Sequence, residues 1–174
     1  HKQYEKAINT AHTLARREKH LVTIGIKPSY PSTAYGYIQY DEKMDEKYID
    51  AYHVKAFAEK PHVKLAKRFI SSGDFLWNAG MFFWNVETFM ESLKKHLPEL
   101  NENIEKIAPK LAKGESFDDI WEFIEPESID YGLLEKASNI YVVSGDFKWN
   151  DIGSWNALDE VLSKTKNGNV IKGD

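Results

Sequence analysis

The chain has 174 residues, 23 Lys plus Arg against 27 Asp plus Glu, a net charge of −4 and no cysteine. At roughly 150 residues per domain this is about one domain, long enough to bury a real core. Charges of both signs mixed along the chain argue against a basic nucleic-acid-binding face. The lack of cysteine excludes disulfides, thiolate zinc sites, iron–sulfur clusters and a cysteine nucleophile. No apolar run nears the ~20 residues of a membrane span and no signal-peptide pattern opens the chain, so neither membrane nor secretion is indicated and the expected location is cytoplasmic. The opening His1-Lys2-Gln3-Tyr4 has no initiating Met and no first strand, and reads as an excised piece.

From Tyr4 to Leu21, Ala7, Ile8, Ala11, Leu14 and Ala15 recur at helical spacing, and Arg16, Arg17 and Lys19 suit the dipole of the last turns. Leu21 to Ile26 reads as a short buried strand. Pro28 and Pro31 make the next stretch a loop, because each lacks an N–H and restrains the residue before it. Tyr35 to Tyr40 and Tyr48 to Phe57 read as strands joined by a polar connection, Asp41 to Lys47. Pro61, at the first helical position, introduces a helix over Val63 to Ser71. Phe75 to Val86 is an apolar run interrupted by Asn78-Ala79-Gly80, and burial on both faces of a sheet explains its hydrophobicity. Helices follow at Glu87 to His96, from Pro98 to about Lys113, and at Phe117 to Ile124. Ser128 to Ala137 reads as a helix capped by Ser128 or Asp130. Ile140 to Val143 is a strand, and Ser154 to Ser163 a last helix. The class is α/β with a mixed sheet, since the pair between Tyr35 and Phe57 looks like a hairpin.

Four segments put polar residues where strands meet loops, the place where α/β folds bind ligands. Gly36, between two tyrosines in a strand, marks either a packing accommodation or the close approach of a ligand. Glu59 and Lys60 end a strand just before a helix. They are either a solvated pair worth ~0–1 kcal/mol or a pocket pair, the carboxylate taking hydroxyls and the ammonium a phosphate. Asn78 stands in an apolar strand, where an unpaired buried amide costs roughly 1–3 kcal/mol, so either a bulge backbone or a sugar hydroxyl should satisfy it. Asp151 is either solvated, with Gly153 turning and Ser154 capping the chain, or a carboxylate ligand for Mg²⁺ shared with substrate phosphates.

Taken in order, Thr33-Ala34-Tyr35-Gly36-Tyr37-Ile38, Phe57-Ala58-Glu59-Lys60-Pro61, Trp77-Asn78-Ala79-Gly80-Met81-Phe82, Ser128-Ile129-Asp130-Tyr131 and Phe147-Lys148-Trp149-Asn150-Asp151-Ile152-Gly153-Ser154-Trp155 resemble the mannose-1-phosphate guanylyltransferase family of sugar-nucleotide pyrophosphorylases. The resemblance runs from Leu21 to Asp174. It implies the second half of a Rossmann-like, glycosyltransferase-A-like nucleotide-sugar transferase domain. Residues 1–167 would be its sugar-binding part, and 168–174 the start of a connection to a missing C-terminal region. It implies formation of GDP-mannose and pyrophosphate from GTP and mannose 1-phosphate with Mg²⁺. On that resemblance Gly36 offers backbone to the sugar, Glu59 binds hydroxyls, Lys60 binds the sugar phosphate, Asn78 binds a further hydroxyl, and Asp151 is a Mg²⁺ ligand. Lys60 and Asp151 would then be the catalytic pair.

Two positions depart mildly from the family pattern: Ala34, where glycine is frequent, and Ala58, where valine is usual. A larger departure is the absence of the glycine-rich nucleotide-phosphate signature and of the aspartate expected to share the metal. The chain alone is therefore expected to have negligible transferase activity. A glucose-1-phosphate thymidylyl- or uridylyltransferase is the nearest alternative, against which Ser128 to Tyr131 and Trp149 to Trp155 speak. A non-catalytic sugar-phosphate-binding module is another, and an uncovered sheet edge would admit a homo-oligomer.

Overall fold

The computed structural model describes residues 1–45 and 47–153, and the single positions 157, 162, 164 and 168. The helix expected at Ser154 to Ser163 and the connection at 168–174 lie outside the described residues, apart from those single positions.

Helix α1 spans Lys2–Arg17 and buries Ala7, Ala11, Leu14 and Ala15, the apolar stripe that the sequence spacing marks. Strand β1, Leu21–Ile26, is buried at every position. β2, Tyr37–Met44, runs further than expected into the polar stretch, and the turn after it is built by Asp45, whose carboxylate accepts from the backbone N–H groups of Lys47 and Tyr48 at 2.8 and 3.1 Å. β3, Ala51–Ala58, returns antiparallel to β2 and completes the expected hairpin.

Helix α2, Val63–Ser72, begins later than a first-turn proline would imply. His62 is its N-cap, the ring Nδ1 accepting from the Leu65 N–H at 3.3 Å, and Pro61 precedes the cap. Gly73 closes it at φ 84°, a left-handed conformation that suits glycine. β4 is Phe75–Phe83, and α3, Val86–His96, is capped by Asn85, whose Oδ1 accepts from the Glu87 N–H at 2.8 Å. α4, Pro98–Lys113, and the short α5, Asp118–Trp121, follow.

The helix expected from Ser128 to Ala137 is instead one wide π turn, Asp130–Leu134, before β5, Ile140–Gly145. The Glu135 N–H reaches back five residues to the Asp130 carbonyl at 2.9 Å. Ser128 Oγ accepts from the Tyr131 N–H at 3.3 Å, so Ser128 acts as the cap, whereas Asp130 does not.

The sheet is mixed. β1 pairs parallel with β5 and antiparallel with β4, and the strands follow the order β1-β4-β2-β3-β5 and close into a ring. β4 makes this possible by changing partner along its length: Phe75 to Trp77 face β2, while Trp77 to Phe83 face β1. Each strand thus has a neighbour on both sides, and the uncovered edge strand that would admit a homo-oligomer is not found among the described residues.

Both faces carry core. Val22, Ile24, Ile26, Tyr37, Trp77 and Val143 pack with α1 and with Ala66 of α2. Leu21, Ile38, Leu76, Ile140 and Val142 pack with Leu133 and Leu134 of the π turn. Successive residues such as Tyr37 and Ile38, or Leu76 and Trp77, go to opposite clusters, as the period of a strand requires. Burial on both faces therefore accounts for the first part of the Phe75 to Val86 run, while beyond Asn78 the strand is only half-buried or exposed. The layers position the site, because the polar motifs lie where β1, β2, β3 and β4 meet beside the bulge in β4.

Candidate functional site

The floor of the site is a bulge. Between β1 and β4 the step from Thr23 to Gly25 is matched by the longer step from Phe82 back to Asn78, so β4 carries extra residues around Gly80, which has φ 66°. The bulge turns the Asn78 side chain toward three partners. Thr23 Oγ1 donates to Asn78 Oδ1 at 3.0 Å, the Gly80 N–H donates to the same oxygen at 3.2 Å, and Asn78 Nδ2 donates to Asp130 Oδ1 at 2.9 Å. The bulge backbone thus satisfies the amide oxygen, with Thr23 beside it, while one Nδ2–H has no acceptor among the described residues.

Gly36 lies directly over this group. Its carbonyl accepts from the Asn78 N–H at 2.8 Å. A Cβ built on it would collide with Glu59 Oε2 and touch the Asn78 Cβ at 3.4 Å. A methyl at Gly36 would therefore take the space that the Glu59 carboxylate occupies.

Glu59 follows β3, with its side chain 21% exposed against 66% for Lys60, and the two form an ion pair at 3.6 Å. Lys60 has φ 44°, a left-handed backbone that is strained for a side-chain-bearing residue and, before a proline, doubly disfavoured. Strain of this kind, on the order of 1–3 kcal/mol, collects at functional sites.

Burial pushes the Glu59 carboxyl above the usual carboxylate range, and the nearby Asp130 charge adds to the rise while Lys60 opposes it. Asp130 is likewise pushed up by burial, with its hydrogen bonds and Lys60 pulling the other way. A carboxyl raised in the native state holds its proton more tightly folded than unfolded. Its contribution to stability is therefore complete below the ordinary carboxylate pKa and is lost as pH rises through the native value. Urea unfolding of the chain and of Glu59→Gln between about pH 4 and pH 7 is expected to show the wild type losing stability relative to the variant as pH rises. Parallel curves would contradict the shift.

The fifth motif reaches the site through aromatic rings. Tyr35 meets Trp77 and Trp149 edge-on, each at 5.1 Å, and Tyr30 meets Trp77 at 4.9 Å. Asp151 stands two residues beyond Trp149 and is exposed, its carbonyl accepting from the Gly153 N–H at 2.8 Å. The structure thus brings Gly36, Glu59, Lys60 and Asn78 together and gives Asp151 no contact with them among the described residues. No group of three His, Asp or Glu side chains able to hold a metal is found there either. A single exposed carboxylate nevertheless fits Mg²⁺, which keeps most of its shell as water and substrate phosphate.

Sequence reasoning misses two members. Thr23 is a fully buried hydroxyl in a strand buried throughout, a pattern that demands a hydrogen-bond partner. Asp130 lies within the Ser128 to Tyr131 motif, where its residue type suggests only a helix cap.

Among the described residues, no helix is long and apolar enough to cross a membrane. The profile of the nucleotidyl transferase family matches residues 1–168. The chain is 37% identical over 175 residues to a mannose-1-phosphate guanylyltransferase of Klebsiella pneumoniae, covering 98% of this chain and 37% of that protein. It is 35% identical over 176 residues to one of Escherichia coli strain K12, with the same coverage of both chains. A crystal structure of mannose-1-phosphate geranyltransferase from Thermus thermophilus matches with a TM-score of 0.80 at 34% identity, over 94% of this chain and 46% of that one. A mannose-6-phosphate isomerase structure from Helicobacter pylori matches with a TM-score of 0.71 at 31% identity, over 86% and 59%. The chain spans a little over a third of the length of the curated relatives.

Proposed function

The chain belongs to the nucleotidyl transferase family, and from that premise we propose that it supplies the sugar-phosphate side of a mannose-1-phosphate guanylyltransferase. The reading is carried by the convergence of Gly36, Glu59 and Asn78 beside the exposed ammonium of Lys60. The names of the relatives direct it to mannose 1-phosphate and GTP.

In the proposed reaction an oxygen of the sugar phosphate attacks the α-phosphorus of GTP. The new P–O bond forms as the bond to the pyrophosphate leaving group breaks. Both reactants are anions, so the protein's work is to position them and offset their charge rather than to form a covalent intermediate. Glu59 accepts hydrogen bonds from sugar hydroxyls, and the open face over Gly36 lets the ring approach the backbone. The spare Nδ2–H of Asn78 donates to a hydroxyl oxygen. Lys60 meets the sugar phosphate as a point charge, and its exposure leaves it free to turn from Glu59 toward that ligand. Mg²⁺, when bound, would offset charge on the nucleotide phosphates, with Asp151 as one of its ligands.

The test is a titration of the ¹⁵N-labelled chain with mannose 1-phosphate and with glucose 1-phosphate. Mannose 1-phosphate is expected to move the backbone amides of Gly36, Glu59, Lys60 and Asn78, and Lys60→Ala to weaken that binding about tenfold or more, as the loss of a charged hydrogen bond does. If those amides stay still with either sugar, the half-site is not one. A stronger response to glucose 1-phosphate would move the assignment to the glucose-1-phosphate enzymes.

A further inference from the structure

The Asn78 side chain is held at one end by a group that can only donate and at the other by a carboxylate that, ionised, can only accept. The Gly80 backbone N–H can only donate, so the atom it faces at 3.2 Å must be the amide oxygen. An ionised Asp130 can only accept, so the atom it faces at 2.9 Å must be the amide nitrogen. Thr23 Oγ1 is free to take either part, and its bond to Oδ1 at 3.0 Å fills that oxygen's second lone pair. The outcome is an amide with its acceptor saturated and one donor left over. Glu59, whose charge interacts with that of Asp130, has the opposite character and is acceptor-only when ionised.

Asp130 reaches Asn78 because it opens the π turn Asp130–Leu134 rather than capping a regular helix. Leu133 and Leu134, in the same turn, are buried against β1 and β5. The carboxylate is therefore mounted on a packed element and pointed at a neighbouring strand. π turns recur at functional sites, where the wider turn redirects a side chain.

We propose that Asp130 is the positioning residue of this site: by holding one Nδ2–H of Asn78 it aims the other at the ligand, and so sets Asn78 as donor beside Glu59 as acceptor. Such a pair recognises a hydroxyl group, which both donates and accepts, and rejects a ligand that has lost it. This rests on the reading of the site as a sugar-phosphate site. A tether between the π turn and β4 would have the same hydrogen bond but no consequence for ligand affinity.

The experiment reads both possibilities on the ¹⁵N-labelled chain, comparing wild type, Asp130→Ala and Asp130→Asn. The measurements are unfolding midpoint, mannose 1-phosphate affinity, and the two Asn78 side-chain amide protons as a function of pH. Around the Asp130 and Glu59 carboxylates the other charged groups are Lys60, which acts on both, and Glu135, which acts on Glu59. Asp130→Asn keeps an acceptor and is expected to bind within about threefold of wild type. Asp130→Ala is expected to lose about tenfold or more in affinity with little change in midpoint, the size of one charged hydrogen bond. One Asn78 amide proton should stand apart from the other in wild type and Asp130→Asn, and should titrate with the carboxylate only in wild type.

Wild-type affinity in Asp130→Ala, or an Asn78 amide that ignores Asp130 ionisation, overturns the proposal. If Asp130→Ala does not fold, the wild-type titration and Asp130→Asn still decide it. If wild type binds no sugar phosphate while the Asn78 protons follow Asp130, the sugar reading falls and the orienting contact stands.

Discussion

Gly36→Ala is expected to abolish most sugar-phosphate binding while leaving the fold nearly as stable as wild type. No left-handed φ is required at Gly36, so alanine can adopt its backbone. The added methyl meets the end of the Glu59 side chain, which is flexible, together with the Asn78 Cβ at an ordinary 3.4 Å. The cheapest accommodation is for Glu59 to swing away, so the stability change should stay within ~1 kcal/mol. The site then loses its acceptor and gains a methyl where the sugar would approach. A lost charge-assisted hydrogen bond is worth roughly 1.5–3 kcal/mol, or about 10–100-fold in affinity. Calorimetric titration with mannose 1-phosphate alongside urea unfolding checks both halves. Unchanged affinity would remove Glu59 from the site, and a large loss of stability would make Gly36 a packing glycine after all.

Asp151→Ala should act on turnover and spare sugar binding. On the proposed function, Mg²⁺-dependent GDP-mannose formation is expected to fall by about 10²–10³-fold in Asp151→Ala, the usual effect of removing a group that stabilises charge in the transition state. Asp151 makes no contact with Gly36, Glu59 or Asn78 among the described residues. Mannose 1-phosphate affinity should therefore stay within about twofold, as distant sites are nearly additive. Undiminished turnover would end the metal role, and a parallel loss of sugar affinity would place Asp151 in the sugar site instead.

The two predictions differ in kind because the two residues are legible in the sequence to different degrees. Gly36 is marked by its place between two tyrosines in a stretch that reads as a strand, and in the fold it stands just before β2 with the Glu59 carboxylate where its Cβ would be. Asp151 is marked only by its motif and by a turn before an expected helix. The structure describes the turn at Gly153, and the helix expected after it lies outside the described residues.

The helix starts show how capping misleads when read locally. Pro61 suits a first turn, yet His62 takes the cap because its ring nitrogen can accept where proline offers nothing. Ser128 and Asp130 are both good caps by type. Only Ser128 serves as one, since Asp130 has a partner across the chain, 52 residues away in sequence.

By itself the sequence determined the elements whose causes are local. The apolar stripe of α1, the buried run of β1, the β2 and β3 hairpin and the glycine stop after α2 all follow from spacing, side-chain size and backbone freedom within a few residues. The ordered motifs likewise mark Gly36, Glu59, Lys60 and Asn78 without any geometry. Tertiary structure alone decided that β4 changes partners and closes the sheet, and that a bulge at Gly80 saturates the Asn78 oxygen. It alone decided, too, that Thr23 and Asp130 join the site. The physical reason is that a hydrogen bond or a collision between residues tens of positions apart depends on register and bulges. Residue type can require such partners, as a buried hydroxyl or amide does, without saying where they are.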